Sequence, residues 1–289
     1  MVRFGGPLFQ DCSDPDRWIE ALRKKGYTAA YCPVGNEAGS DTIKAFSNAA
    51  EKAGIVIAEV GAWSNPIGPD SAKSREAIEH CRKQLALADE IGARCCVNIT
   101  GSRGDPWASH HPKNLTQETF DLIVQTTRSI VDAVKPKRSF FVLETMPWMY
   151  PDSVQSYSDL IHAIDREQCA VHFDPVNLIN SPSRYYGNGP LIHEFVDRLG
   201  SMIKSCHAKD IILGPEFMVH LNECRPGTGS LDYATFLREI HQLPGEVPIM
   251  LEHLSDEAEY DLAAQYVRSV AEKRGFRSDS ENLEYPIKK

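Results

Sequence analysis

Short runs of apolar, β-branched and aromatic residues alternate along the chain with longer stretches in which apolar positions return at the helical period. The runs fall at 2–8, 28–34, 55–63, 95–101, 139–148, 169–177, 202–211 and 247–254. Continuous apolar runs bounded by turn residues read as strands buried on both faces. Between them, patterns such as DPDRWIEALRKKG, SREAIEHCRKQLALADEIG and DEAEYDLAAQYVRSVAEKRG open near Asp or Ser as N-caps and stop at Gly. Strand–helix alternation repeated eight times, with a period of about 34 residues, predicts α/β architecture in the form of a single-domain (β/α)8 TIM barrel rather than a doubly wound sheet. The barrel is expected over residues 1–275. Residues 276–289 form a polar extension in which Tyr285, Pro286 and Ile287 offer a patch for docking on the barrel or on a second copy in a homo-oligomer.

Composition narrows the function. The 289 residues carry 31 Lys and Arg against 40 Asp and Glu, a formal charge of −9, and no basic run supplies the face that nucleic acid needs. No apolar run approaches a membrane span, and MVRFGGPLF lacks the charged and apolar regions of a secretory signal, so a cytoplasmic protein is expected. The eight cysteines include no C-x-x-C pair. Several sit in apolar runs, where a free thiol behaves as a small hydrophobe, and all are read as reduced.

Chemistry is expected where strands end at the C-terminal face of such a barrel. The fifth candidate strand ends in Glu144, the sixth in Asp174, the seventh in His207 and the eighth in Glu252. Alternation supports this for strands five and eight, where Val142 and Glu144, and Met250 and Glu252, share the inward face. In strand seven Ser205, His207 and Lys209 share it, which leaves Lys204 awkwardly toward the helices, as a bulge or a snorkelling stem. Any one of these acids could simply pair with a Lys or Arg of the next loop. Three acids and an imidazole on consecutive strands instead need a counter-cation in a partly dry cavity. Oxygen-rich ligation with one nitrogen points to Mn2+, with Mg2+ or Co2+ as alternatives.

The phrases VLETMPW, HFDPVNLINSPSRYY, CHAKD, GTGSLDYATFL and MLEHL resemble the xylose isomerase-like barrels, specifically the sugar isomerase/epimerase branch that includes tagatose and psicose 3-epimerases and inosose dehydratase. The resemblance implies one divalent metal held by Glu144, Asp174, His207 and Glu252. It also makes Glu144 and Glu252 the catalytic acid/base pair, which moves a proton alpha to the carbonyl of a keto sugar through a metal-stabilised enediolate. The 3-epimerases carry a His shortly after the strand-six Asp and an Arg six residues beyond the strand-seven His. This chain has Asp174-Pro175-Val176-Asn177 and Leu213 there, which argues against free tagatose or psicose.

Substrate contacts are expected from His172, Lys209, Trp148, Asn177 and Arg225. His172 could equally be a hydrogen-bonded interior histidine. Trp63 and Glu59 are expected in packing and pairing roles, His110 and His111 in a solvated loop, and His220 and Glu223 in a lid or on plain surface. Gly227 and Gly229 lead into a helix N-terminus able to hold an anion, although Asp232 at that start would repel phosphate. The alternatives to an epimerase are a metal-dependent lyase or dehydratase on a keto sugar, inosose or keto-glycoside, an endonuclease IV-like phosphodiesterase, and a non-catalytic sugar-binding barrel.

Overall fold

The computed structural model describes residues 2–276. Eight strands form the barrel: β1 (Arg3–Gly5), β2 (Ala29–Tyr31), β3 (Val56–Gly61), β4 (Cys95–Asn98), β5 (Phe140–Leu143), β6 (Cys169–Phe173), β7 (Ile203–Ala208) and, last in the chain, β10 (Pro248–Leu251). They are laddered in parallel in the order β1-β10-β7-β6-β5-β4-β3-β2. The ring closes where Thr28 N donates to Phe4 O at 2.9 Å. Around it lie α1 (Pro15–Lys25), α2 (Ser40–Ala53), α3 (Ser71–Ile91), α4 (Gln117–Val134), α5 (Val154–Ile164), a short α6 (Pro182–Tyr186), α7 (Asn188–Leu199), α8 (Tyr233–Gln242) and α9 (Glu257–Lys273). Side chains of Asp14, Asp70, Thr116, Ser153 and Asp232 accept backbone N–H bonds at helix starts, satisfying donors that otherwise have no partner. Among the described residues no helix is long and apolar enough to cross a membrane. Apart from Phe276, the expected C-terminal extension, with Tyr285, Pro286 and Ile287, lies outside the described residues.

The run predicted as one strand over 202–211 divides. β7 stops at Ala208, and the chain then forms an antiparallel hairpin of β8 (Asp210–Leu213) and β9 (Leu221–Cys224). Two register shifts matter to the site. Between β6 and β7 the partner of Val171 is Ile203 and that of His172 is Ser205, so Lys204 is an inserted residue. Lys204 therefore does not face the helices as alternation suggests. Its ammonium lies 4.2 Å from the centroid of the Phe140 ring, which packs on the interior cluster of Cys95, Val97, Val142 and Ala170. The second shift, between β2 and β3, pairs Ala30 with Ile57 and Tyr31 with Glu59. It turns Glu59 inward directly after the inward Ala58, the re-aiming that bulges provide.

The interior is narrow at β1. A Cβ built on Gly5 would stand 2.2 Å from Ala29 O and 2.9 Å from Met250 Cε. Gly5→Ala is therefore expected to force these backbones apart and lower stability by about 1–3 kcal/mol, the usual cost of overpacking. Urea unfolding checks this, and a wild-type midpoint would show that the barrel yields there.

Candidate active site

Glu144 follows β5, Asp174 follows β6, His207 lies in β7 and Glu252 follows β10. One ligand-type atom from each of these four lies within 4.8 Å of the other three. Asp174 and His207 are fully buried, and Glu144 nearly so. Local geometry fixes their orientation. Asp174 Oδ1 accepts from Val176 N (2.9 Å) and Asn177 N (3.2 Å), and Asn177 Nδ2 in turn donates to Glu144 Oε1 (3.3 Å). His207 Nδ1 lies 2.9 Å from Glu144 Oε1 and 3.0 Å from Glu252 Oε2.

Lys209 is the internal counter-charge. Its buried Nζ lies 2.7 Å from Asp174 Oδ2, 2.8 Å from Glu252 Oε1 and 3.1 Å from Glu223 Oε1, and it donates to Asn177 Oδ1 at 3.1 Å. Yet among the described residues Asp174 Oδ2 and Glu252 Oε1 have no hydrogen-bond partner of acceptable geometry. The ammonium is close enough to neutralise these oxygens but badly directed to bond them, and a buried carboxylate oxygen left so is costly. Burial pushes the Asp174 carboxyl up to about 6, against the pull of Lys209 and with the repulsion of Glu144 and Glu252. Burial works against the charged forms of Lys209 and His207, but the surrounding acids outweigh it and hold both well above their ordinary values. Glu252, despite its burial, is held well below the carboxylate range by His207 and Lys209.

Beneath this layer Glu59 joins two histidines. Its Oε2 is 3.1 Å from His207 Nε2, its Oε1 is 3.1 Å from His172 Nε2, and Ser205 Oγ donates to it. Burial disfavours the Glu59 carboxylate, yet the two imidazoles draw its pKa far below the usual range. A carboxylate on the far nitrogen of an imidazole fixes the ring orientation and raises the basicity of the near one.

Above the acids opens a cavity of about 750 Å3, whose lining includes Glu144, His207, Lys209 and Glu252 together with Trp63, Trp107 and Trp148. The β8–β9 hairpin contributes Ile211, Val219, Leu221 and Glu223, and Glu223 Oε2 meets His253 Nδ1 at 2.9 Å.

A family model described as the xylose isomerase-like TIM barrel matches residues 7–271. The chain belongs to this family. No curated protein sequence matches it. Three solved structures of similar fold are D-psicose 3-epimerase with D-tagatose from Clostridium cellulolyticum H10, a probable 3-DHS dehydratase involved in petrobactin synthesis from Bacillus anthracis, and a xylose isomerase-like TIM barrel protein from Mycobacterium smegmatis in complex with magnesium. The epimerase superposes with TM-score 0.67 at 15% identity, covering 94% of this chain and 99% of that one. The dehydratase gives 0.66 at 14%, covering 94% and 99%. The magnesium complex gives 0.64 at 14%, covering 92% and 91%.

In this xylose isomerase-like barrel the expected ligand set converges, with Lys209, Asn177 and Trp148 around the same cavity. Two expected substrate contacts fall elsewhere. His172 is sealed at 0% exposure and spends Nε2 on Glu59, so it is an interior histidine. Arg225 turns outward to Glu259 (2.9 Å), because the hairpin carries it away from the cavity. The anion site expected at Gly227 and Gly229 is filled by the protein itself. The buried Asp210 carboxylate accepts from Gly227 N, Gly229 N and Leu231 N at 2.9, 3.1 and 2.9 Å, and a Cβ on Gly229 would meet Asp210 Oδ1 at 2.3 Å. His110, His111 and His220 do not line the cavity, whereas Glu223 does. Sequence reasoning missed Tyr31, Trp107 and His253 as lining residues. His253, directly after Glu252 and at φ 57°, carried a signal in its position at a strand end.

Proposed function

We propose that this barrel is a divalent-metal-dependent isomerase or epimerase that moves a proton alpha to the carbonyl of a keto sugar or sugar derivative. The observation that carries the reading is the convergence of Glu144, Asp174, His207 and Glu252, of which Glu144, His207 and Glu252 line the cavity, with Asp174 Oδ2 and Glu252 Oε1 buried and unbonded among the described residues. This oxygen-rich set with one imidazole fits a cation such as Mn2+, or alternatively Mg2+ or Co2+. When bound there, such an ion polarises a carbonyl and acidifies the adjacent C–H.

The chain's own residues do the rest. Glu144 and Glu252 stand on strands separated by β6 and β7, so their carboxylates flank the floor and can take and return a proton on two sides of a planar carbon. Lys209 and Asn177 supply donors for substrate oxygens, and Trp148 offers an indole face to the apolar C–H face of a sugar. Glu59 holds the His207 ring from below.

The likeness of fold to a 3-epimerase supports epimerisation. The likeness to a dehydratase favours a second reading, a lyase on a keto sugar, inosose or keto-glycoside in which a single glutamate acts as base. Product analysis in heavy water separates them. The epimerase or isomerase returns a product changed in mass by deuterium alone, and loss of water would establish the lyase. A nuclease fits poorly, since the two acid–histidine clusters of the described residues share His207 and the chain is acidic.

A further inference from the structure

The cavity above the acids is larger and less polar than a free sugar calls for. Cavities of roughly 300–1,000 Å3 bury drug-sized ligands, and at about 750 Å3 this one is toward the upper end. Its polar lining is concentrated on one side, from the buried acids to the more exposed Glu223–His253 pair. Glu144, Asn177, His207, Lys209, Glu252 and the Glu223–His253 pair all belong to one bonded network. The two remaining polar side chains in the lining are tied off, Asn180 donating to Pro147 O at 3.2 Å and the Tyr31 hydroxyl to Leu251 O at 3.1 Å. The rest of the wall is aliphatic and aromatic.

Three of the four tryptophans of the chain stand in that wall, Trp63 42%, Trp107 44% and Trp148 43% exposed. Large apolar patches left open to water mark binding sites. The aromatic wall is also held in place. Trp148 Nε1 donates to Ala108 O at 2.9 Å, and the buried Asn114 ties the two loops together, its Nδ2 donating to Ser109 O (3.0 Å) and Trp148 O (3.4 Å). A wall of three indoles, with the Trp148 donor already used, offers mainly ring face and shape for recognition.

We infer that the substrate is a glycoside, its sugar over Glu144, His207 and Glu252 and a planar apolar aglycone between Trp63, Trp107 and Trp148. The inference rests on the keto-sugar reading for the floor alone. The aglycone end stands on the wall.

Calorimetric titration of the full-length protein with p-nitrophenyl β-D-glucoside, methyl β-D-glucoside and p-nitrophenol tests it. The aryl glycoside is expected to bind at least about tenfold tighter than the methyl glycoside, on the scale of burying one aromatic ring net of ordering costs, and tighter than the phenol. Trp107→Ala should bring the aryl-to-methyl ratio close to one. Equal binding of the two glycosides, phenol binding as well as its glycoside, no saturation by either glycoside, or an unchanged ratio in Trp107→Ala would each overturn the inference. An intact aryl preference without proton exchange on any keto sugar would remove the catalytic reading and leave the aglycone site standing. Exchange on free keto sugars without aryl preference would do the reverse.

Discussion

Glu144→Gln and Glu252→Gln are each expected to slow deuterium exchange at the substrate carbon by at least about 10²-fold, the scale of general acid–base catalysis. Glutamine keeps the shape of the side chain and one ligating oxygen but removes the basic carboxylate. Both residues line the cavity floor and approach His207 Nδ1 at 2.9 and 3.0 Å, so a pure ligand role would show first as loss of metal. Metal content, read by elemental analysis, should therefore fall less than exchange. If either variant exchanged at a near wild-type rate, that glutamate would be a ligand alone. A one-base mechanism, as in a dehydratase or a single-face isomerase, would then replace the two-base account.

Lys209→Met should weaken the metal-free protein by about 3–5 kcal/mol, the cost of removing one partner from a buried ion pair. Methionine fills similar volume, so the loss reports charge rather than packing. Without the ammonium, Asp174 Oδ2 and Glu252 Oε1 lose a cation within 3 Å of each, the one that the described residues supply. The folded pKa of Asp174, already raised to about 6, then rises further, and that of Glu252 loses one of the two cations that hold it down. A carboxyl raised in this way destabilises the fold above its folded pKa and ceases to do so below its unfolded one. The deficit should accordingly be fullest near neutral pH and shrink toward pH 4. Because Mn2+ binds the folded state, it should recover more stability in the variant than in the wild type. Urea unfolding with chelator and with Mn2+ checks both halves. A variant as stable as wild type in chelator, or equal stabilisation of the two by Mn2+, would show that Lys209 does not compensate these acids.

Most of the barrel was legible in the sequence because buried parallel strands and amphipathic helices write different periods. Glu144 and Glu252 were legible for the same reason, since β5 and β10 keep strict alternation through Val142 and Met250. Alternation failed at bulges. The inserted Lys204 depends on neighbouring strands slipping by one residue, which no single strand's pattern records, whereas Glu59 stands inward and paired as its own strand suggested. The charge argument also fell short. It asked for an external cation, whereas Lys209, expected to touch substrate, already stands between two of the acids. At Gly227 and Gly229 the turn was read correctly, but the anion that fills it is Asp210, which the sequence placed inside a strand. Arg225 was misjudged and Trp107 missed because loop direction is set by contacts made elsewhere, such as Glu259 for Arg225 and the paired loop at Asn114 for Trp107.

The central claim is a metal-dependent proton abstraction next to a carbonyl, and deuterium incorporation reads it most directly. A panel of ketohexoses, keto-glycosides and inososes would be incubated in heavy water with the purified protein, after chelation and after Mn2+ is restored, and followed by NMR at each C–H. The account predicts that for at least one compound a single position alpha to the carbonyl exchanges, that chelation abolishes the exchange, and that Mn2+ restores it. Turnover of a panel compound without alpha exchange, or exchange indifferent to chelation, would contradict it.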